Sequence, residues 1–183
     1  MDFSSGLTRP NPRRSWHGPT NCACGGFTSI ELIVTVVIVG IFAAIAVPSF
    51  VALIHRSNVR SGADELYGLL QYARAEAVTR SAPVTVAAPG SSSSNWTGNI
   101  TVSLSPLSAN VPTLRQVGTA GLQPGITITT AAGSVTFSPT GTSSVTACFQ
   151  ISYANDGSVT PQFISVQSSG RVTSPTSVRP GGC

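Results

Sequence analysis

The side chain with the clearest chemical demand is Glu31, the one charge in the apolar stretch 26–54, GFTSIELIVTVVIVGIFAAIAVPSFVALI. A charge inside a membrane helix costs about 2.5–3.5 kcal/mol on insertion scales, so such a residue normally has a partner. No Lys, Arg or His lies within two turns of it. A cut after Gly26 would leave a free amine on Phe27, four residues away, and that amine is the cation the stretch lacks. Cys22 and Cys24, with His17 nearby, form a C-x-C cluster without the second ligand pair of a zinc motif, so no metal site is assigned. Beyond residue 26 there is one histidine, His55, and most of the acids fall on the helical stretch that ends near residue 80. No Ser/His/Asp set and no Gly-rich phosphate loop with Lys is present. The chain reads as non-catalytic, with no cofactor.

Long elements must position these groups. Residues 27–47 number 21, and as a helix they span about 30 Å, one bilayer core. Gly40 and Pro48 interrupt the run; proline removes an i→i−4 bond, so local loosening is expected there. Residues 55–80 continue the helix in amphipathic form, with Val59, Ala63, Leu66, Leu70, Ala73 and Ala77 on one stripe. That stripe is expected to pack on a following sheet. His55, Arg56 and Arg60 read as the exit from the membrane. From Ala82 the period falls to two, predicting strands at 84–87, 100–104, 125–130, 134–137, 147–153 and 162–167. Asn155-Asp156-Gly157 reads as a hairpin turn in which Gly supplies the positive φ, and the Ser-rich tract 90–94 as a loop.

Two rival readings of the N-terminus fit poorly. A secretory signal has a shorter apolar region followed by a small-residue cut, and none follows here. A double-glycine leader would not precede a membrane span joined to a large domain. A plain membrane anchor leaves Gly25-Gly26, Phe27 and Glu31 unexplained.

The basic leader ending in Gly26, then Phe27 and Thr-Ser-Ile-Glu31-Leu-Ile-Val, resembles the prepilin-peptidase site of type IV pilins and type II secretion pseudopilins. The stretch Tyr72-Ala73-Arg74-Ala75-Glu76-Ala77-Val78 resembles the helix-closing segment of the GspH/FimT branch, with Ala75 in place of its usual Ser. Phe137-Ser-Pro-Thr-Gly141 and Ser168-Ser-Gly-Arg-Val172 fit the same pattern. The resemblance implies an α+β, type IV pilin-like fold: a long N-terminal membrane helix packed on a C-terminal antiparallel β domain. Residues 1–26 become a cytoplasmic leader that is cleaved, 27–54 the transmembrane and filament-core half of the helix, 55–81 its amphipathic half, and 82–183 a periplasmic domain. Arg9, Arg13 and Arg14 fit the positive-inside rule for that leader.

The resemblance also implies cleavage between Gly26 and Phe27, N-methylation of Phe27, and pairing of Glu31 with a mature N-terminus during assembly. Gly40 and Pro48 would loosen the helix in transfer from membrane to filament. The implied partners are other pilin or pseudopilin subunits, the prepilin peptidase and the inner-membrane assembly platform. The implied location is the bacterial inner membrane, single-pass, and a periplasmic or extracellular filament. The role is a minor subunit of a type IV pilus or a type II secretion pseudopilus.

Two further expectations follow. Facing an oxidising periplasm, Cys148 and Cys183 are candidates for a disulfide, worth about 4 kcal/mol on the chain-entropy model; two free thiols are the alternative. FimT-like proteins are similar in ending with a Gly-Arg-x-Arg tail that contacts double-stranded DNA. Here Gly170-Arg171-Val172 matches, Thr173 stands at the second Arg, and Arg179 and Arg115 are the substitutes. Such arginines would hold phosphates in a salt-sensitive way. Net charge does not argue for DNA by itself: all ten basic residues are Arg, and losing the leader removes three of them and one of six acids, leaving a formal +2.

Overall fold

Helix α1 spans Ser29–Thr79 as one element of 51 residues. The structure, a computed structural model, describes residues 26–88, 96, 98–105, 112–117, 122–181 and 183. The leader through Gly25, with Cys22 and Cys24, and the Ser-rich tract 90–94 lie outside the described residues.

Both ends of α1 are capped by local sequence. Thr28 Oγ1 accepts the Glu31 N–H at 3.2 Å, satisfying one of the donors a helix start leaves open. At the far end, Ser81 adopts φ 50° while Ala82 N–H donates to Ala77 O and Ser81 N–H to Val78 O. That is the Schellman pattern with serine in the place glycine usually takes, and Pro83 follows where the helix cannot continue. Thr35, inside the apolar run, bonds its hydroxyl back to Leu32 O at 2.8 Å and so leaves no hydroxyl unpaired.

By spatial compactness the chain forms two units, residues 1–42 and 43–183. In the first, every described residue from Gly26 to Phe42 is exposed. The second holds the rest of α1 and two antiparallel sheets. Strands β1 (Val84–Ala87), β2 (Thr101–Leu104), β3 (Thr113–Gln116) and β5 (Ser134–Phe137) form one sheet in the order β3-β2-β1-β5. Strands β4 (Ile126–Thr129), β6 (Ala147–Tyr153) and β7 (Gln162–Val166) form the other, in the order β4-β6-β7.

The core lies where the helix stripe meets the sheets. Val59, Ala63, Leu66, Leu70, Ala73 and Ala77 are all buried, as the periodicity predicts, joined by Leu69 and by Val84, Val86, Val135, Phe137, Phe149, Ile151 and Ile164. Trp96 is fully buried against them, edge-on to Phe149 with centroids 4.8 Å apart. Its indole N–H donates to Ala132 O at 2.7 Å, so the polar end is satisfied in the interior.

The sheets add one strand to the predicted set and correct one turn. Thr113–Gln116 is the added strand; it is short, mostly exposed and on a sheet edge, with Leu114 alone packed against the core, so it shows no alternation to read. In the β6–β7 connection, Asn155 and not Gly157 takes the positive φ, at 61°. The connection runs from 154 to 161, too long for the two-residue turn whose geometry needs glycine there.

Candidate functional site: a motif junction, a strapped tail and an uncovered helix

Three stretches far apart in sequence meet at one point. Arg74 on α1 donates Nε–H to Gly141 O at 3.0 Å, and Gly141 belongs to the Phe137-Ser-Pro-Thr-Gly turn. Gly141 has φ +78°, and Gly170, with φ +77°, packs directly on the same Gly141 carbonyl. A Cβ on Gly170 would overlap that carbonyl, so only glycine closes the junction. Ser143 N–H adds a bond to Ser168 O at 3.0 Å, and Gly170 N–H closes its own turn onto Gln167 O at 2.8 Å. Arg74 is half-buried and sits off the apolar stripe, which is why helix periodicity passes over it.

The tail leaves this junction as an irregular extra strand on β7. Gln167 N–H donates to Arg171 O, Thr173 N–H to Ser165 O, and Phe163 and Thr176 exchange two backbone bonds at 2.8 and 3.1 Å. Thr173 Oγ1 accepts the Ser165 N–H at 2.9 Å and lies 3.1 Å from Ser165 Oγ. The residue standing at the second Arg position therefore spends its side chain pinning the tail. The end is joined to β6 by the disulfide Cys148–Cys183, with Cα atoms 5.4 Å apart. Between these fastenings Phe163 is kept to 7% exposure, although it faces away from Ile164 and the core.

A family model described as "Type II transport protein GspH" matches residues 62–170, from the domain half of α1 to the junction glycine. The chain belongs to the GspH family. The matched span holds Arg74 and Gly141 and stops at Gly170, so the strapped tail lies beyond it. Among solved structures the chain is similar to the type IV minor pilin FimU of Pseudomonas aeruginosa, at 23% identity and TM-score 0.57, over 67% of this chain and 91% of that one. It is also similar to the minor pseudopilin EpsH from the Type 2 Secretion System of Vibrio cholerae, at 12% identity and TM-score 0.50, over 63% and 94%. These likenesses establish the fold, a type IV pilin fold with a long apolar helix and antiparallel sheets. No curated protein matches the chain.

In a GspH-family chain the arginines named from sequence fall in different places. Arg171 is exposed and lines a cavity of about 480 Å³ with Tyr67, Val178 and Pro180. Arg179 lines a separate cavity, of about 500 Å³, beside Thr129, Gln150 and Cys183. Arg115, on β3, stacks its guanidinium over the Tyr72 ring at 5.5 Å, on α1. Each of the three has its own setting, and the Arg171 cavity is also lined by Val178 and Pro180, the neighbours of Arg179. One turn on from Tyr72, Glu76 accepts from Arg80 Nε–H. That bond is the main cause that lowers the Glu76 pKa; desolvation, then the nearby Glu76 carboxylate, raises that of Tyr72.

The largest surface feature is the first part of α1. Every residue from Gly26 to Val51 is exposed, Phe27 at 80% and Phe42 at 69% among them. The helix is long and apolar enough to cross a membrane, with mean hydropathy 2.8 in its most apolar window. Glu31 lies in this exposed part, its backbone tied to Thr28. Gly40 has open space around it, as does Gly26, and Pro48 lies within the continuous helix.

Proposed function

We propose that this GspH-family chain is a minor pilin or pseudopilin, a non-catalytic structural subunit of a type IV pilus or a type II secretion pseudopilus. The observation that carries the reading is the contrast within α1. Its domain half has its own core, whereas residues 26–51 present apolar surface all round that nothing among the described residues covers. An apolar patch of that extent needs lipid or other apolar helices around it. In the bacterial inner membrane the span is covered by lipid, with residues 82–183 in the periplasm. In the filament it is covered by the helices of other subunits.

Processing supplies the missing cation. Prepilin peptidase cuts between Gly26 and Phe27, the new amine is N-methylated, and Glu31 pairs with the mature N-terminus of a neighbour. The Thr28 cap holds the first turn, and with it Glu31, in helical form. Gly40 and Pro48 let the helix loosen as the assembly platform moves it out of the bilayer. The test is a pair of substitutions in the full chain: Glu31→Val stops incorporation into filaments, and Gly26→Ala leaves the leader attached by mass. Normal processing and assembly in both variants would overturn the reading.

A second reading is contact with double-stranded DNA. Arg171 supports it, being exposed directly after the fixed Gly170 turn; Thr173, committed to Ser165, and Arg115, stacked on Tyr72, weigh against it. Salt-sensitive binding that is lost in Arg171→Ala would establish it, and no binding at low salt would remove it.

A further inference from the structure

Helix α1 first meets its own domain at Ala52, His55 and Asn58, all half-buried, before the full burial that starts at Val59. His55 makes the polar contact. Its Nδ1 lies 2.7 Å from Asp156 Oδ2, and its ring stacks on Tyr153 with centroids 3.8 Å apart and planes at 16°. The groups that receive it are organised without the helix. Asp156 Oδ1 accepts both the Ser158 N–H at 3.1 Å and the Ser158 hydroxyl at 2.6 Å, leaving Oδ2 for the histidine. Tyr153 lies over Gly125, where a Cβ would come within 2.6 Å of the ring, and Ala154 N–H donates to Gly125 O at 2.7 Å. Glycine at 125, with φ +80°, is what lets the ring lie flat enough to take the imidazole. The Asp156 carboxyl is held near 2, first by the Ser158 hydroxyl and then by His55, so the acceptor is ionised well into the acid range.

On the other side of His55 the helix carries its weakest link. Pro48 has no N–H to give Ala44 O, and no residue from 48 to 51 is even half-buried. Loosening that begins at Pro48 has no packing to oppose it until Ala52 and His55.

We propose that His55, Tyr153 and Asp156 form a latch that stops unwinding of α1 from reaching the domain core. The latch makes the segment around Pro48 a bounded hinge: the apolar half of the helix can change conformation while the domain keeps its grip on residues 55–79. Its use in transfer from membrane to filament rests on the function proposed above, but the latch itself does not.

Hydrogen exchange on the full chain in detergent micelles tests it. In the wild type, amides 49–54 exchange fast and 56–60 slowly, so the boundary falls at His55. In His55→Ala and Asp156→Asn the boundary shifts toward Val59, with exchange at 56–58 faster by about tenfold or more, while 62–78 is unchanged. The double variant shows no more than His55→Ala alone, because that substitution already removes both the bond to Asp156 and the stack on Tyr153. His55→Phe, which keeps the stack and loses the hydrogen bond to Asp156, falls between wild type and His55→Ala. Unchanged exchange at 56–58 in both single variants would overturn the latch. Equal loss across 62–78 would also overturn it, reducing the contact to general stability. Assembly is not read in this experiment, so failure of the filament reading would leave its result standing.

Discussion

The two halves of helix α1 have the same secondary structure and opposite surroundings. From Gly26 to Val51 the apolar side chains are distributed all round and every one is exposed. From Val59 to Ala77 they are confined to a stripe, and that stripe is buried. The difference teaches what covers each half. A stripe is the pattern of a helix that packs on its own sheet, and an all-round apolar surface is the pattern of one whose solvent is lipid or other helices.

Substitutions that shorten side chains in both halves sharpen this comparison most. Leu66→Ala, at a fully buried position, is expected to destabilise the domain by about 2–5 kcal/mol in denaturant unfolding. Ile38→Ala, at an exposed position, is expected to leave the same transition within about 0.5 kcal/mol. Equal effects would break the distinction between the halves.

The strapped tail comes next. Replacing Cys148 and Cys183 by Ser is expected to cost about 4 kcal/mol on the chain-entropy model, and to free Phe163 for an apolar fluorescent dye. Dye binding equal to wild type would mean that the backbone bonds to β7 hold the tail without the bridge.

At the motif junction, Gly170→Ala must both take a positive φ and displace the Gly141 carbonyl, for a loss of about 1–3 kcal/mol. Arg74→Ala removes one hydrogen bond, about 1 kcal/mol. The two should be non-additive, since they share that carbonyl; simple addition would separate the arginine from the glycine.

The smallest effect is one of pH. The folded Asp156 pKa, about 2, lies below the ordinary 3.8, so its bonds to Ser158 and His55 stabilise the fold above about pH 4. That contribution is lost as pH falls from about 4 to 2. Asp156→Asn should flatten this part of the stability profile, and an unaltered acid limb would remove the carboxylate from the account.

Much of this was legible in sequence because it depends on local periodicity. The stripe from Val59 to Ala77 is written at helical spacing, and six of the seven strands among the described residues are written at a period of two, each within a residue or so of its observed ends. Strand β3 was not legible, because an exposed edge strand selects no buried face. Trp96 was not legible either: it belongs to no described helix or strand, so neither period marks it as core. The arginines show the same limit from the other side. Residue type made Arg171, Arg179 and Arg115 equivalent, and only the fold gave each a different setting.

By itself the sequence determined where the chain is helical, which helix face has a core to meet, and which stretch must find its covering outside the chain. Those follow from the spacing of apolar residues along a local geometry. The tertiary structure alone decided that Arg74, Gly141 and Gly170 close one junction, that Thr173 faces Ser165, and that His55 meets Asp156 across 101 positions. Such contacts depend on how the sheets are ordered and paired, and no local spacing records that.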